Sequence, residues 1–103
     1  MRVLIQIVVL LYVGEGGISA LRAHEAEMAP IIYRYGGQII SASHPSAPRP
    51  GDPDEIHILQ FPDMQAFDDF KNDPDAQSKR EQRQQAIRDA RVYITDQFVT
   101  YID

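Results

Sequence analysis

Four side chains in this chain of 103 residues carry groups suited to acid–base or anion chemistry in otherwise apolar surroundings: Glu25, Arg83, His24 and His57. On a helical projection Glu25 falls between Ile18, Leu21, Ala29 and Ile32, in the middle of an apolar stripe. A carboxylate there must find a partner or become neutral, because an unpaired buried charge costs several kcal/mol. Arg83 sits on the corresponding stripe of a later helix with Ala76, Ile87 and Ala90, and is the expected partner. Such a pair has two readings, a buried ion pair that fixes helix register or the charged wall of a ligand cavity between helices and sheet. A third follows if Pro30 distorts the helix enough to put Glu25 in water.

His57 shares one strand face with Glu55, Leu59 and Phe61, while Ile56, Ile58 and Gln60 make the other. Which of these faces meets a partner is open at this level. A histidine so placed is either a hydrogen-bonded structural residue or a general base or ligand. The candidate catalytic residues are therefore His57 and Glu25, with Arg83 placed to stabilise an enolate; the candidate ligand-binding residues are Glu25, Arg83, His24 and His57. His44 lies beside Arg49 in a proline-rich loop and reads as solvated.

Other chemistries find little support. In His24-Glu25-Ala26-Glu27-Met28 a methionine stands where the helical zinc-protease motif has its second histidine, so no metal is expected. There is no cysteine, which excludes disulfides and thiolate metal sites. Gly14-Glu15-Gly16-Gly17 precedes a helix, yet Glu15 repels an anion there, and no serine occupies a nucleophile elbow. No cofactor is expected. The net charge of −5 opposes nucleic acid as a partner, since phosphate contacts need a basic surface.

Periodicity supplies the elements that must position these groups. Val3 to Val13 is apolar on both strand faces, with Gln6 and Tyr12 the residues carrying a polar group, and it is too short to span a bilayer as a helix. The spacing of Ile18, Leu21, Met28, Ala29 and Ile32 predicts a helix from about Ile18 to Tyr35, stopped by Gly36-Gly37 and disturbed at Pro30. Gln38 to Ser43 reads as a second strand. Residues 43–54 hold four of the seven prolines and form a loop. Glu55 to Phe61 is a third strand, Asp63 caps a short helix through Phe70, and Asp73-Pro74 starts another that continues to about Ala90. Val92 to Ile102 is a fourth strand. No small-residue cleavage site follows the apolar start, and a cytoplasmic protein is expected.

The order βαββαβ makes one α+β, ferredoxin-like domain over residues 1–103, a four-stranded antiparallel sheet with its helices on one face. The other face stays bare, so the two-sided apolarity of strand 1 calls for a second copy, a homodimer through the open sheet face that closes a dimeric α/β barrel. RNA-recognition domains share the topology but display a glycine-aromatic pattern that Glu55-Ile56-His57-Ile58-Leu59-Gln60-Phe61 lacks.

Two stretches carry a family resemblance. Leu21-Arg22-Ala23-His24-Glu25, Met28-Ala29-Pro30-Ile31-Ile32 and Tyr35-Gly36-Gly37 come first; Glu55-Ile56-His57, Phe61-Pro62-Asp63, Ala66-Phe67, Asp73-Pro74, Arg83 and Ala86-Ile87 follow. In this order they resemble an uncharacterised family of small dimeric α/β-barrel proteins, remotely related to antibiotic-biosynthesis monooxygenases. The chain departs from that family where it often has tyrosine, at His24 and Ala76. Haem-degrading relatives of the fold rely on a tryptophan, and this chain has none. The resemblance implies the barrel and leaves two functions open: a homodimeric module whose cavity takes a small apolar or acidic metabolite, or nothing, and a cofactor-independent monooxygenase or isomerase acting on a small aromatic substrate. An amino-acid-sensing regulatory domain is a weaker third, since such domains are normally attached to an enzyme.

Overall fold

The computed structural model describes residues 4–101. Strand β1 (Ile5–Val13) leads into helix α1 (Gly17–Arg34), strands β2 (Gln38–Ser43) and β3 (Glu55–Phe61), and helix α2 (Met64–Lys71). Helices α3 (Pro74–Ser78) and α4 (Arg80–Ala86) then lead into strand β4 (Ile87–Thr95). The strands lie in the order β2-β3-β1-β4 and every neighbouring pair is antiparallel. This is the expected α+β, ferredoxin-like sheet. Val3 and Ile102, included in the expected first and last strands, lie outside the described residues.

Alternation along β1 separates the two faces. Ile5, Ile7 and Leu11 are almost wholly buried against the helices, where Ile5 and Ile7 join Ile31, Ile32, Leu59, Phe61, Phe67 and Phe70 in one cluster. Leu11 joins Leu21, Ala86 and Ile87 in a second. The register places Val8 between Ile58 and Tyr93, and Leu10 between Ile56 and Arg91, on the opposite face. Among the described residues no helix covers that face: Val8, Leu10, Ile56 and Ile58 are only half-buried and Tyr93 is 52% exposed. The two layers give a body of 42 × 36 × 16 Å.

Local chemistry accounts for the element ends. Gly36 has φ +77°, and the amides of Gly36 and Gly37 donate to the carbonyls of Tyr33 and Ile32 at 3.1 and 3.0 Å, the two bonds that close a helix through a left-handed residue. Pro30 lies on the exposed side of α1, and the helix runs through it to Arg34. Asp63 caps α2 by accepting from the Ala66 amide, and Asp73 caps α3 by accepting from Asp75 and Ala76, with Pro74 in the first turn.

Two expected elements are corrected: the fourth strand, expected from Val92 to Ile102, runs from Ile87 to Thr95, and residues 96–101 lie beyond it. The helix from Asp73 to Ala90 is two short helices, and the chain becomes β4 at Ile87. A bulge explains the spacing that imitates a helix. Val13 pairs with Ile87 and Leu11 with Ala90, a shift that brings Ile87 and Ala90 to the helix-facing side although they are three residues apart.

Candidate functional site

The face of β3 that meets the helices is the one carrying Glu55, His57, Leu59 and Phe61, since His57 pairs with Val9 and Leu59 with Ile7. Two residues apart on a strand, Glu55 and His57 point the same way. His57 Nε2 lies 2.5 Å from Glu55 Oε1, and both residues are 6% exposed. A carboxylate accepts only, so the ring donates through Nε2–H, which leaves Nδ1 as the nitrogen outside this contact. That nitrogen faces Glu25 Oε2 at 3.7 Å across the space between sheet and α1.

Glu25 is thus held by helix α1 over the sheet, as its place in the apolar stripe requires. Burial pushes its carboxyl above the ordinary carboxylate range, opposed first by His57 and then by His24. Its expected ion pair with Arg83 is not formed: among the described residues no hydrogen bond or salt bridge joins the two, and Arg83 ranks last among the charges acting on Glu25. Arg83 stands exposed on α4, one turn before the start of β4, while the buried imidazole of His57 is what meets Glu25. His57 takes the position that helix-stripe reasoning assigned to the arginine.

The network continues on both sides. Glu55 Oε2 lies 3.5 Å from His44 Nε2, which also accepts from Arg22 at 2.9 Å, while His44 Nδ1–H donates to the Asp54 carbonyl at 3.0 Å. His44, expected to be simply solvated, is half-exposed and held by Arg22 and the Asp54 carbonyl beside the buried acid. His24 is buried and its Nδ1 lies 2.9 Å from Gln82 Oε1, whose amide nitrogen donates to Glu27. With the amide fixed this way round, His24 donates through Nδ1–H. Sequence reasoning missed the roles of Glu55 and Gln82; the i, i+2 spacing of Glu55 and His57 on a strand was the available signal for the first.

A cavity of about 410 Å³ lies between helices and sheet. His24, Glu25, His57 and Arg83, the four residues singled out in the sequence, all line it. Ile7, Val9 and Leu59 make its sheet wall and Met28, Phe67 and Phe70 its helix wall. Lys71, Arg80 and Arg83 add cationic groups. A hollow of this size holds a small organic molecule, and the Glu55–His57–Glu25 series can donate or accept a proton at its wall. Among the described residues no group of three or more histidines and acids is placed to hold a metal ion, and no helix is long and apolar enough to cross a membrane.

The fold recurs in solved structures. A protein of unknown function from Rhodopseudomonas palustris is 20% identical with a TM-score of 0.79, covering 97% of this chain and 86% of its own. A variant of SnoaB, a cofactor-independent oxygenase from Streptomyces nogalater, is 15% identical with a TM-score of 0.71, covering 97% and 98%. A dabb family protein with a ferredoxin-like fold from Mesorhizobium loti is 11% identical with a TM-score of 0.72, covering 96% and 100%. No curated protein matches the sequence significantly. A family model described as a domain of unknown function, DUF1330, matches residues 18–98.

Proposed function

The chain belongs to the DUF1330 family, and from that premise we propose that it is a homodimeric α/β-barrel protein that binds a small metabolite between its helices and its sheet. The cavity of about 410 Å³ carries this reading, because a core packed to ordinary density leaves few voids larger than a water molecule. Apolar walls supply affinity and a few convergent polar groups, Glu25, His24, His57 and Arg83, supply orientation. The open sheet face supports the second copy. Val8, Leu10, Ile56, Ile58 and Tyr93 form an apolar surface rimmed by Gln6 and Gln60, which hydrogen-bond to each other at 3.3 Å.

Sedimentation at micromolar concentration tests the dimer. We expect a stable dimer that Ile58→Lys converts to a folded monomer, and a wild-type monomer at that concentration overturns it.

A second reading is favoured by one observation, the seating of His57 Nε2 on Glu55 at 2.5 Å. In that reading the protein is a cofactor-independent enzyme, a monooxygenase or isomerase of a small aromatic substrate. His57 Nδ1 and Glu25 take a proton from a phenol or an acidic carbon, and Arg83 stabilises the resulting phenolate or enolate. The oxygenase likeness of SnoaB supports it at the level of fold alone. Oxygen uptake with phenolic substrates, lost in His57→Ala, is the expected result; equal rates in the two proteins remove the histidine from the mechanism.

A further inference from the structure

We infer that the occupant of the cavity is a small organic acid, its apolar body against the sheet and its anionic group held by Arg83 and Arg80. The inference rests on the reading of the cavity as a binding site and adds the class of ligand.

Charge on the lining runs against that of the whole chain. The protein carries a formal charge of −5, yet among the described residues three cations, Lys71 from α2 and Arg80 and Arg83 from α4, line this hollow against a single carboxyl, Glu25. Burial biases that carboxyl toward its neutral form. The other titratable groups facing the space are His24 from α1 and His57 from β3, and His57 is already seated on Glu55.

Among the described residues no carboxylate lies within ion-pair distance of either guanidinium group. The Arg83 side chain makes no hydrogen bond and no ion pair among the described residues, and Arg80 bonds only to the neutral Oε1 of Gln77, at 2.7 Å. Lys71 is different, since it lies 3.4 Å from Asp68 and 4.7 Å from the centre of the Phe67 ring. A planar guanidinium with free donors matches a carboxylate through two parallel hydrogen bonds, which a neutral ligand cannot offer. Behind them Ile7, Val9, Leu59, Met28 and Phe70 leave a wall suited to a ring or a short alkyl chain.

Calorimetric titration of the full chain with 2-naphthoic acid and with 2-naphthamide at about pH 7.5, where the acid is ionised, separates the possibilities. The Met28 methyl signal reports occupancy. We expect the acid to bind roughly tenfold more tightly than the amide and to shift Met28, and we expect the preference to vanish in the Arg80→Gln, Arg83→Gln double variant. Both arginines are exposed, so the variant keeps its fold. Equal affinity for acid and amide, with Met28 shifted by both, overturns the ligand class and leaves the binding reading standing. A preference that survives in the double variant overturns the role of the arginines. No shift of Met28 with either probe overturns the binding reading and this inference together.

Discussion

Glu55 and His57 lie two residues apart on β3, and their side chains meet at 2.5 Å on the buried side of the sheet. The contact sets which ring nitrogen carries a proton and which one is presented to Glu25. Glu55→Gln keeps the shape and removes the charge, so the ring loses its preference for Nε2–H. Nitrogen NMR of His57 is expected to show that single tautomer in the wild type and a mixture in the variant, with about 1–3 kcal/mol lost from stability. An unchanged tautomer would mean that the acid does not orient the ring.

Glu25 gives a pH-dependent effect of defined sign. Its carboxyl is held above the usual range by burial, so the fold favours the protonated form. Stability from this group is complete below the unfolded pKa and is lost as pH rises through the folded one. Glu25→Gln should therefore raise Tm at about pH 8 and show no advantage near pH 4. Thermal melts across that range check it; a variant less stable at every pH contradicts the sign.

Asp73 behaves in the opposite sense. The Tyr35 hydroxyl donates to it at 2.5 Å, Arg34 lies 3.0 Å away, and the amides of Asp75 and Ala76 bond to its other oxygen. The Tyr35 hydrogen bond is the first cause holding its carboxyl below the usual range. Stability from Asp73 is present above the unfolded pKa and lost as pH falls through the folded one. Asp73→Asn is expected to lower Tm by several degrees at neutral pH, with the gap closing in acid.

Gly37 is a packing prediction. A Cβ there would stand 2.7 Å from Ile32 Cγ2 and 2.7 Å from the Phe61 ring, both in the larger core cluster. Gly37→Ala should cost roughly 1–3 kcal/mol through overpacking, read as a fall in the denaturation midpoint at unchanged slope. Gly51→Ala meets nothing within 4 Å and loses only the freedom to hold φ +90°.

Much of the scaffold was legible from residue types. Gln38–Ser43 and Glu55–Phe61 are the expected strands to the residue, Asp63 and Asp73 cap the expected helices, and Gly36 ends α1 in the left-handed conformation. These features depend on a few neighbours each. The start of β4 was not legible, because the bulge opposite Tyr12 and Val13 makes strand residues Ile87 and Ala90 share a face at helical spacing. His24, Glu25, His57 and Arg83 all line the cavity, but which of them meet, and the part taken by Glu55, was not legible.

By itself the sequence determined that a carboxylate, two histidines and an arginine occupy apolar periodic segments of a βαββαβ chain, and that β1 is apolar on both faces. Period, capping groups and charge suffice for that. Only the tertiary structure decided that Glu25 faces His57 in place of Arg83, and that Glu55 holds the far side of the imidazole. It also placed the bare face of the sheet on the side of Ile56 and Ile58. Side-chain partners across 32 residues of chain depend on where α1 crosses β3 and on where α4 gives way to β4. No local pattern encodes either, because both follow from packing the two core clusters at once.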